Sequence, residues 1–154
     1  MKLAVFDLDF TLWNAGGTWC DATNPPYFKK DGMVFDSSGS HIQLYPDTQK
    51  ILESLRTSKI EIALASRTGR PDWAKKLLQL FEIDFYFKYK EIYPGSKIQH
   101  FQKLSRSSRH SFSDMIFFDD EMRNISEVSN LGITAVLVEN GITFRLVKNY
   151  LILN

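Results

Sequence analysis

The sequence predicts an α/β fold: a mainly parallel five-stranded sheet with helices on both faces. Three observations carry that expectation. Short apolar runs alternate with stretches whose apolar residues recur at helical spacing, the pattern of successive strand-helix units. The connections are long enough for right-handed crossovers. Three of the runs also end directly in polar clusters, Asp7/Asp9, Ser66/Arg67 and Asp119/Asp120, where such a sheet carries its site, beyond the carboxyl ends of the strands.

Composition sets the outer bounds. With 154 residues, 44% hydrophobic and 14% aromatic, the chain suits one domain over 1–154. A net charge of +1 without long like-charge runs gives no electrostatic case for nucleic acid or an anionic membrane surface, so small soluble partners are the default. Cys20 is the only cysteine, which excludes an internal disulfide and points to a reducing compartment. The first strand begins at Lys2 or Leu3, leaving no room for a secretory leader, and no apolar stretch approaches the length of a membrane span. The expectation is a cytoplasmic monomer.

The first strand, residues 3–6, is a short apolar run suited to burial on both faces. If the extended chain continued, Asp7, Asp9 and Thr11 would share one side, because side chains alternate across a strand. Paired carboxylates repel and resist desolvation, so burying them together calls for a cation or a retained proton. Mg²⁺ fits, as a hard ion held by one or two carboxylates with its other positions left to water and phosphate oxygens. The plainer alternative is a turn capped by Asp7 and Asp9.

Residues 14–45 change character, with Gly16-Gly17, Asn24-Pro25-Pro26, Asp31-Gly32 and Ser37-Ser38-Gly39-Ser40 set among Trp19, Tyr27, Phe28 and Phe35. Met33-Val34-Phe35 and His41-Ile42-Gln43-Leu44 read as a small hairpin, and the segment reads as a flap beside Asp7. Pro46 suits the first position of a helix, with Ile51, Leu52 and Leu55 on one face and an end near Ser58. Residues 60–65 form the second strand, leading into Ser66-Arg67-Thr68-Gly69-Arg70. Pro71 and Asp72 open a helix with Trp73, Leu77, Leu80 and Phe81 as its buried stripe. The aromatic run 85–89 is the third strand.

Lys97 stands at a helix start whose apolar face is Ile98, Phe101 and Leu104. The helix macrodipole disfavours a lysine there, which points to service on a ligand anion or else to a solvated side chain. The polar stretch 105–111 reads as a solvated connection. Residues 115–118 are the fourth strand, ending in Asp119-Asp120-Glu121. Ile125, Val128 and Leu131 mark the next helix, with Gly132 as its stop. Residues 133–138 are the fifth strand, and Leu146, Val147, Tyr150 and Leu151 belong to a closing helix.

Asp-x-Asp-x-Thr after the first strand, Ser after the second, a lone Lys before a helix and paired Asp after the fourth resemble the haloacid dehalogenase-like phosphohydrolase superfamily. Phe6-Asp7-Leu8-Asp9-Phe10-Thr11-Leu12-Trp13, Ala65-Ser66-Arg67-Thr68, Glu91-Ile92-Tyr93-Pro94-Gly95-Ser96-Lys97-Ile98 and Ile116-Phe117-Phe118-Asp119-Asp120-Glu121 are similar to its small magnesium-dependent phosphatase family. The resemblance runs through nearly the whole chain, including Leu44-Tyr45-Pro46 and the Trp19 to Pro26 region. It implies a three-layer Rossmann-like fold with the flap in place of a large cap.

By that resemblance Asp7 is a nucleophile that becomes an aspartyl-phosphate, and Asp9 is the acid and base. Mg²⁺ would be held by Asp7, the Asp9 backbone carbonyl and Asp120, with Asp119 behind them orienting Lys97. Leu8, through its amide, Ser66, Arg67 and Lys97 would grip the phosphoryl oxygens, and Thr11 would support the loop. The family is associated with aryl phosphates, phosphotyrosine and sugar phosphates, so a phosphorylated metabolite or phosphoprotein is the implied partner. Phe10 stands where the family often has tyrosine, which leaves the chemistry intact and bears on substrate preference.

Two other readings share parts of this pattern. A non-catalytic phospho-receiver module also gathers acids, a hydroxyl and a lysine around Mg²⁺, but has no use for an acid at Asp9. A dehalogenase shares the nucleophile and needs neither the metal nor a proton donor at Asp9. His41, His100 and His110 are scattered in flap, helix and loop, and none reads as catalytic.

Overall fold

A computed structural model describes residues 1–154. Its central sheet is built from β1 (Leu3–Phe6), β6 (Glu61–Ser66), β7 (Tyr89–Ile92), β8 (Met115–Asp119) and β9 (Thr134–Leu137). The order is β7-β6-β1-β8-β9 and all pairs are parallel. The helices are α1 (Thr48–Thr57), α2 (Pro71–Leu80), α3 (Lys97–Ser108), α4 (Met122–Ser129) and α5 (Phe144–Lys148). No helix is long and apolar enough to cross a membrane.

Strand alternation divides the core into two layers. Ala4, Phe6, Ile62, Leu64, Ile116 and Phe118 pack with Ile51, Leu52 and Leu55 of α1, Leu77 and Leu78 of α2 and Val147 of α5. Leu3, Val5, Ala63, Ala65 and Phe117 pack on the other side with Phe101 and Leu104 of α3 and Val128 of α4. Both faces of each central strand are covered, which is why those strands read as unbroken apolar runs rather than alternating ones. Phe6 stacks on Phe118 with ring centroids 5.2 Å apart. Truncating either ring to alanine would cost about 3–5 kcal/mol.

Register places the site. Phe6 stands level with Leu64 and Phe118, so the residues just beyond, Asp7, Ala65 and Asp119, emerge together at one edge. The order in the sheet therefore brings the ends of β1, β6 and β8 side by side.

The flap is larger in structure than a single hairpin. Besides β4 (Met33–Phe35) and β5 (His41–Leu44), it contains β3 (Phe28–Lys30) against β4. β2 (Trp13–Asn14) pairs with β5, making a four-stranded antiparallel sheet. The carboxylate of Asp36 closes the β4–β5 turn, accepting from the Ser38 and Ser40 amides, the Ser38 hydroxyl and, across the flap, the Asn24 amide.

Several sequence expectations need correction. The aromatic run 85–89 is not the third strand. Asp84–Tyr86 is a 3₁₀ turn with Phe85 64% exposed, and the strand starts at Tyr89, where it pairs with Ala63. Aromatic β-propensity there yields to pairing register. Pro46 lies outside α1, whose N-cap is Asp47. The Asp47 carboxylate is drawn instead to the Phe144 amide, 2.8 Å away. Residues 105–108 continue α3, which stops at Arg109 in a left-handed conformation with φ 62°. α5 ends at Lys148, leaving Tyr150 half-exposed beyond it.

Candidate active site

Asp7 follows β1, and its amide donates to the Phe118 carbonyl, 3.0 Å away. The chain then folds over: the Leu8 carbonyl accepts from the amides of Thr11, Leu12 and Trp13 at 3.1, 2.9 and 3.3 Å. This turn ends the alternation that would have put Asp7, Asp9 and Thr11 on one side. Thr11 is fully buried, its hydroxyl makes no hydrogen bond, and its carbonyl accepts from the Ile142 amide. Phe10, at φ 60°, takes the left-handed conformation that an L side chain adopts only under constraint, and its ring meets Trp19 edge-on.

The turn separates the two acids by role. Both donors to Asp9 go to one oxygen: the Trp13 indole lies 2.7 Å and the Cys20 amide 3.0 Å from Oδ1. Burial pushes Asp9 up to about 6, against the lowering effect of those two bonds. Asp7 is aimed at Lys97 instead, with Oδ1 3.0 Å from Nζ.

Lys97 enters as the first residue of α3, where Ser96 caps the helix by accepting from the Ile98 amide. Its side chain is 1% exposed and its ammonium touches Asp7, Asp119 Oδ2 at 3.0 Å and the Ala65 carbonyl. The unfavourable helix-end position is thus offset by two carboxylates. Burial works against its charge, but Asp7 and Asp119 outweigh burial and hold the ammonium above the ordinary lysine value.

Asp119, at the end of β8, is buried and uses both carboxylate oxygens on protein donors. Oδ1 accepts from the Glu121 amide at 2.8 Å, and Oδ2 accepts from Lys97 and from Asn124 Nδ2, both at 3.0 Å. Asp120 is only half-buried. Burial pushes it up to about 6, with a hydrogen bond to Asp7 working against that and Asp119 adding to it. Burial also raises Asp7 well above the ordinary carboxyl range; Lys97 pulls it back, while Asp119, Asp120 and Asp9 push further.

Carboxylate oxygens of Asp7, Asp119 and Asp120 lie within 4.8 Å of one another. A single ammonium does not offset that much negative charge. The donor set is all oxygen and all carboxylate, which fits a hard divalent cation such as Mg²⁺.

These groups open into a cleft of about 230 Å³. Of the residues singled out in the sequence, Asp7, Asp9, Ser66, Arg67, Lys97 and Asp120 line it, whereas Leu8, Thr11 and Asp119 are buried and do not. Ser66 is buried and its hydroxyl accepts from the Thr68 amide at 3.3 Å. The Arg67 guanidinium donates to Asn124 Oδ1 at 3.1 Å. His100 does not reach the cleft. Its ring nitrogens lie 2.9 Å from the carbonyls of Ser96, Ser66 and Tyr93, tying α3 to the ends of β6 and β7.

Sequence reasoning missed Trp13, Cys20, Trp19, Asp21, Thr68 and Asn124 at this site. Trp19 is the one hydrophobic residue in the lining and is 55% exposed. Asn124 falls within one helical turn of the paired acids, a spacing that could have flagged it. The contact of Cys20 with Asp9 crosses the flap and leaves no local signal.

Comparison with known proteins agrees with this geometry. Residues 1–152 match the family model described as Acid Phosphatase. Magnesium-dependent phosphatase 1 of Homo sapiens is 47% identical over 146 residues, covering 94% of this chain and 81% of that protein. A HAD-like hydrolase superfamily protein of Schizosaccharomyces pombe is 38% identical over 146 residues, covering 86% and 83%. In fold, a haloacid dehalogenase-like hydrolase from Streptococcus pneumoniae superposes with a TM-score of 0.68 at 16% identity, over 97% of this chain and 91% of that one. The chain therefore belongs to the acid phosphatase family, among the small magnesium-dependent phosphatases of the haloacid dehalogenase-like superfamily.

Proposed function

We propose that the protein is a Mg²⁺-dependent phosphomonoester hydrolase working through an aspartyl-phosphate on Asp7. The observation that carries this reading is the convergence of Asp7, Asp119 and Asp120 at the ends of adjacent strands, with Lys97 bound to the first two. Asp7 and Asp120, with the Asp9 carbonyl, would hold the ion. Asp119 accepts from protein donors at both oxygens and serves to hold Lys97. Bound Mg²⁺ supplies positive charge that lets Asp7 ionise and offsets charge on the phosphoryl oxygens.

Asp7 attacks phosphorus and the bond to the leaving oxygen breaks. Asp9 gives that oxygen its proton from Oδ2, since Oδ1 is occupied by Trp13 and Cys20. In the second step Asp9 takes a proton from water as the water attacks the acyl phosphate, which frees phosphate and restores Asp7. Ser66, Arg67 and Lys97, which line the cleft, hold the equatorial oxygens, and the Leu8 amide, the one group of this set from a residue outside the lining, is free to join them because it donates to no group of the chain. Thr11 braces the loop through its backbone.

With only a flap beside the cleft and Trp19 exposed at its mouth, aryl phosphates, phosphotyrosine-like side chains and sugar phosphates are the substrate classes we assign. A cytoplasmic monomer, with Cys20 as an unpaired buried thiol, completes the reading. The test is hydrolysis of an aryl phosphate with and without Mg²⁺, in the native protein and in Asp7→Asn. Turnover that survives either chelation or Asp7→Asn sinks the proposal. Absence of turnover with a phosphorylated protein stable for hours would instead favour a receiver module.

A further inference from the structure

We propose that Asn124 is a positioning residue that holds the Arg67 guanidinium over the cleft while leaving its positive charge free for the phosphate. The proposal rests on the phosphatase reading above and adds to it a residue whose side-chain hydrogen bonds both go to other protein groups. Asn124 lies in the first turn of α4 and is 3% exposed. The orientation of its carboxamide is dictated by chemistry. Its neighbour Asp119 Oδ2 only accepts, so the end of Asn124 that faces it at 3.0 Å must be the NH₂. The carbonyl end then has to face Arg67, whose Nη1 lies 3.1 Å away.

The choice of amide over acid matters. Arg67 forms no ion pair with any carboxylate of the chain, although acids crowd the cleft. A carboxylate at position 124 would neutralise the guanidinium and face Asp119 as a like charge. A neutral acceptor fixes the arginine without using up its charge, and a charge-assisted bond of this kind is among the stronger side-chain contacts. Lys97, Asp119, Asn124 and Arg67 thus form one hydrogen-bonded line from the cleft floor to its rim.

The test is a double-mutant cycle of Asn124→Ala and Arg67→Ala, with Mg²⁺ present. Two quantities are read: KM and kcat for an aryl phosphate, and the Kd of inorganic phosphate by calorimetry. Asn124→Ala should raise KM and the phosphate Kd about tenfold, with a smaller change in kcat, and Arg67→Ala should do the same or more. In the Arg67→Ala background, Asn124→Ala should add less than about twofold, because the two act as one unit.

If the Asn124→Ala effect persists undiminished without Arg67, or falls on kcat alone, Asn124 acts through Asp119 and Lys97 and the proposal is overturned. Asn124→Ser, which shortens the side chain, repeats the cycle should the alanine variant fail to fold. The two readings fail differently: native protein that binds phosphate without hydrolysing esters would end the phosphatase assignment, while the phosphate Kd cycle would still decide Asn124.

Discussion

The floor of the cleft and the flap that borders it are made by different means. Asp7, Lys97 and Asp119 sit on strand ends and a helix start that are buried on both sides and cross-linked by charge. The flap has a thinner interior of Cys20, Tyr27, Val34 and Ile42. β3 is exposed throughout, with Trp19, Phe28 and Met33 half in solvent. Its shape depends on turn chemistry, above all the Asp36 carboxylate, as well as on that packing. The contrast teaches that the charged floor is set by the sheet, while the rim is set by local turns.

The sharpest way to break the contrast is at the floor. Lys97→Met leaves Asp7 and Asp119 buried together without their cation. Breaking a buried pair in this way costs about 3–5 kcal/mol, measured as a lower urea midpoint. Hydrolysis should fall by at least about 10²-fold alongside it. An unshifted midpoint would mean that the floor is not held by charge.

The next effect lies at the seam. Trp13 belongs to the flap sheet through β2 and donates to Asp9. Trp13→Phe keeps most of the buried ring and removes the donor. An alkyl phosphate, whose poor leaving group needs a proton, should slow by about tenfold, and p-nitrophenyl phosphate, which needs less help, by much less. Equal slowing would argue that Trp13 matters only for packing.

Within the flap, Asp36→Ala removes an acceptor of four hydrogen bonds. The expected local loss is about 1–3 kcal/mol. Hydrogen exchange should show it in residues 24–44 and not in β1 or β8. Burial pushes the Asp36 carboxyl up, but the Ser38 hydroxyl and the Ser40, Asn24 and Ser38 amides outweigh it and hold it below its ordinary value. A carboxyl held down in the folded flap stabilises it above the ordinary value, and that contribution disappears as the pH falls through the folded one. Flap protection should therefore weaken on acidification below about pH 4 in the native protein, and the Asp36→Ala variant should lack that pH dependence.

Trp19→Ala should be the mildest change for stability, within about 0.5 kcal/mol, because the side chain is mostly in solvent. A several-fold rise in KM for aryl phosphates with kcat retained would place the leaving group against it.

The same contrast explains what could be read from the sequence. β1, β6 and β8 were legible because burial on both faces leaves unbroken apolar runs, and the polar residues after them could be assigned to one edge from fold class alone. Asp7, Asp9, Ser66, Arg67, Lys97 and Asp120 follow from that placement together with the family resemblance. In the flap the hairpin of β4 and β5 could be read from its turn chemistry, but β2 and β3 could not, because they are two and three residues long and β3 is Phe28-Lys29-Lys30, which carries no apolar period. The third strand was misplaced because the aromatics of 85–89 carry strand propensity while the register against Ala63 decides where pairing begins. Asn124 has a local signal in its spacing from Asp119, but its contact with Arg67, 57 residues away along the chain, leaves none.

The chain has three tryptophans, and their surroundings differ: Trp13 is sealed in the core, Trp73 on α2 packs partly against the core, and Trp19 alone stands in water at the rim. Indole emission moves to shorter wavelength as solvent leaves the ring, so the unlabelled protein carries its own optical gauge of occupancy. A non-hydrolysable aryl phosphonate titrated against that signal would report the mouth filling in a single cuvette, independently of any turnover.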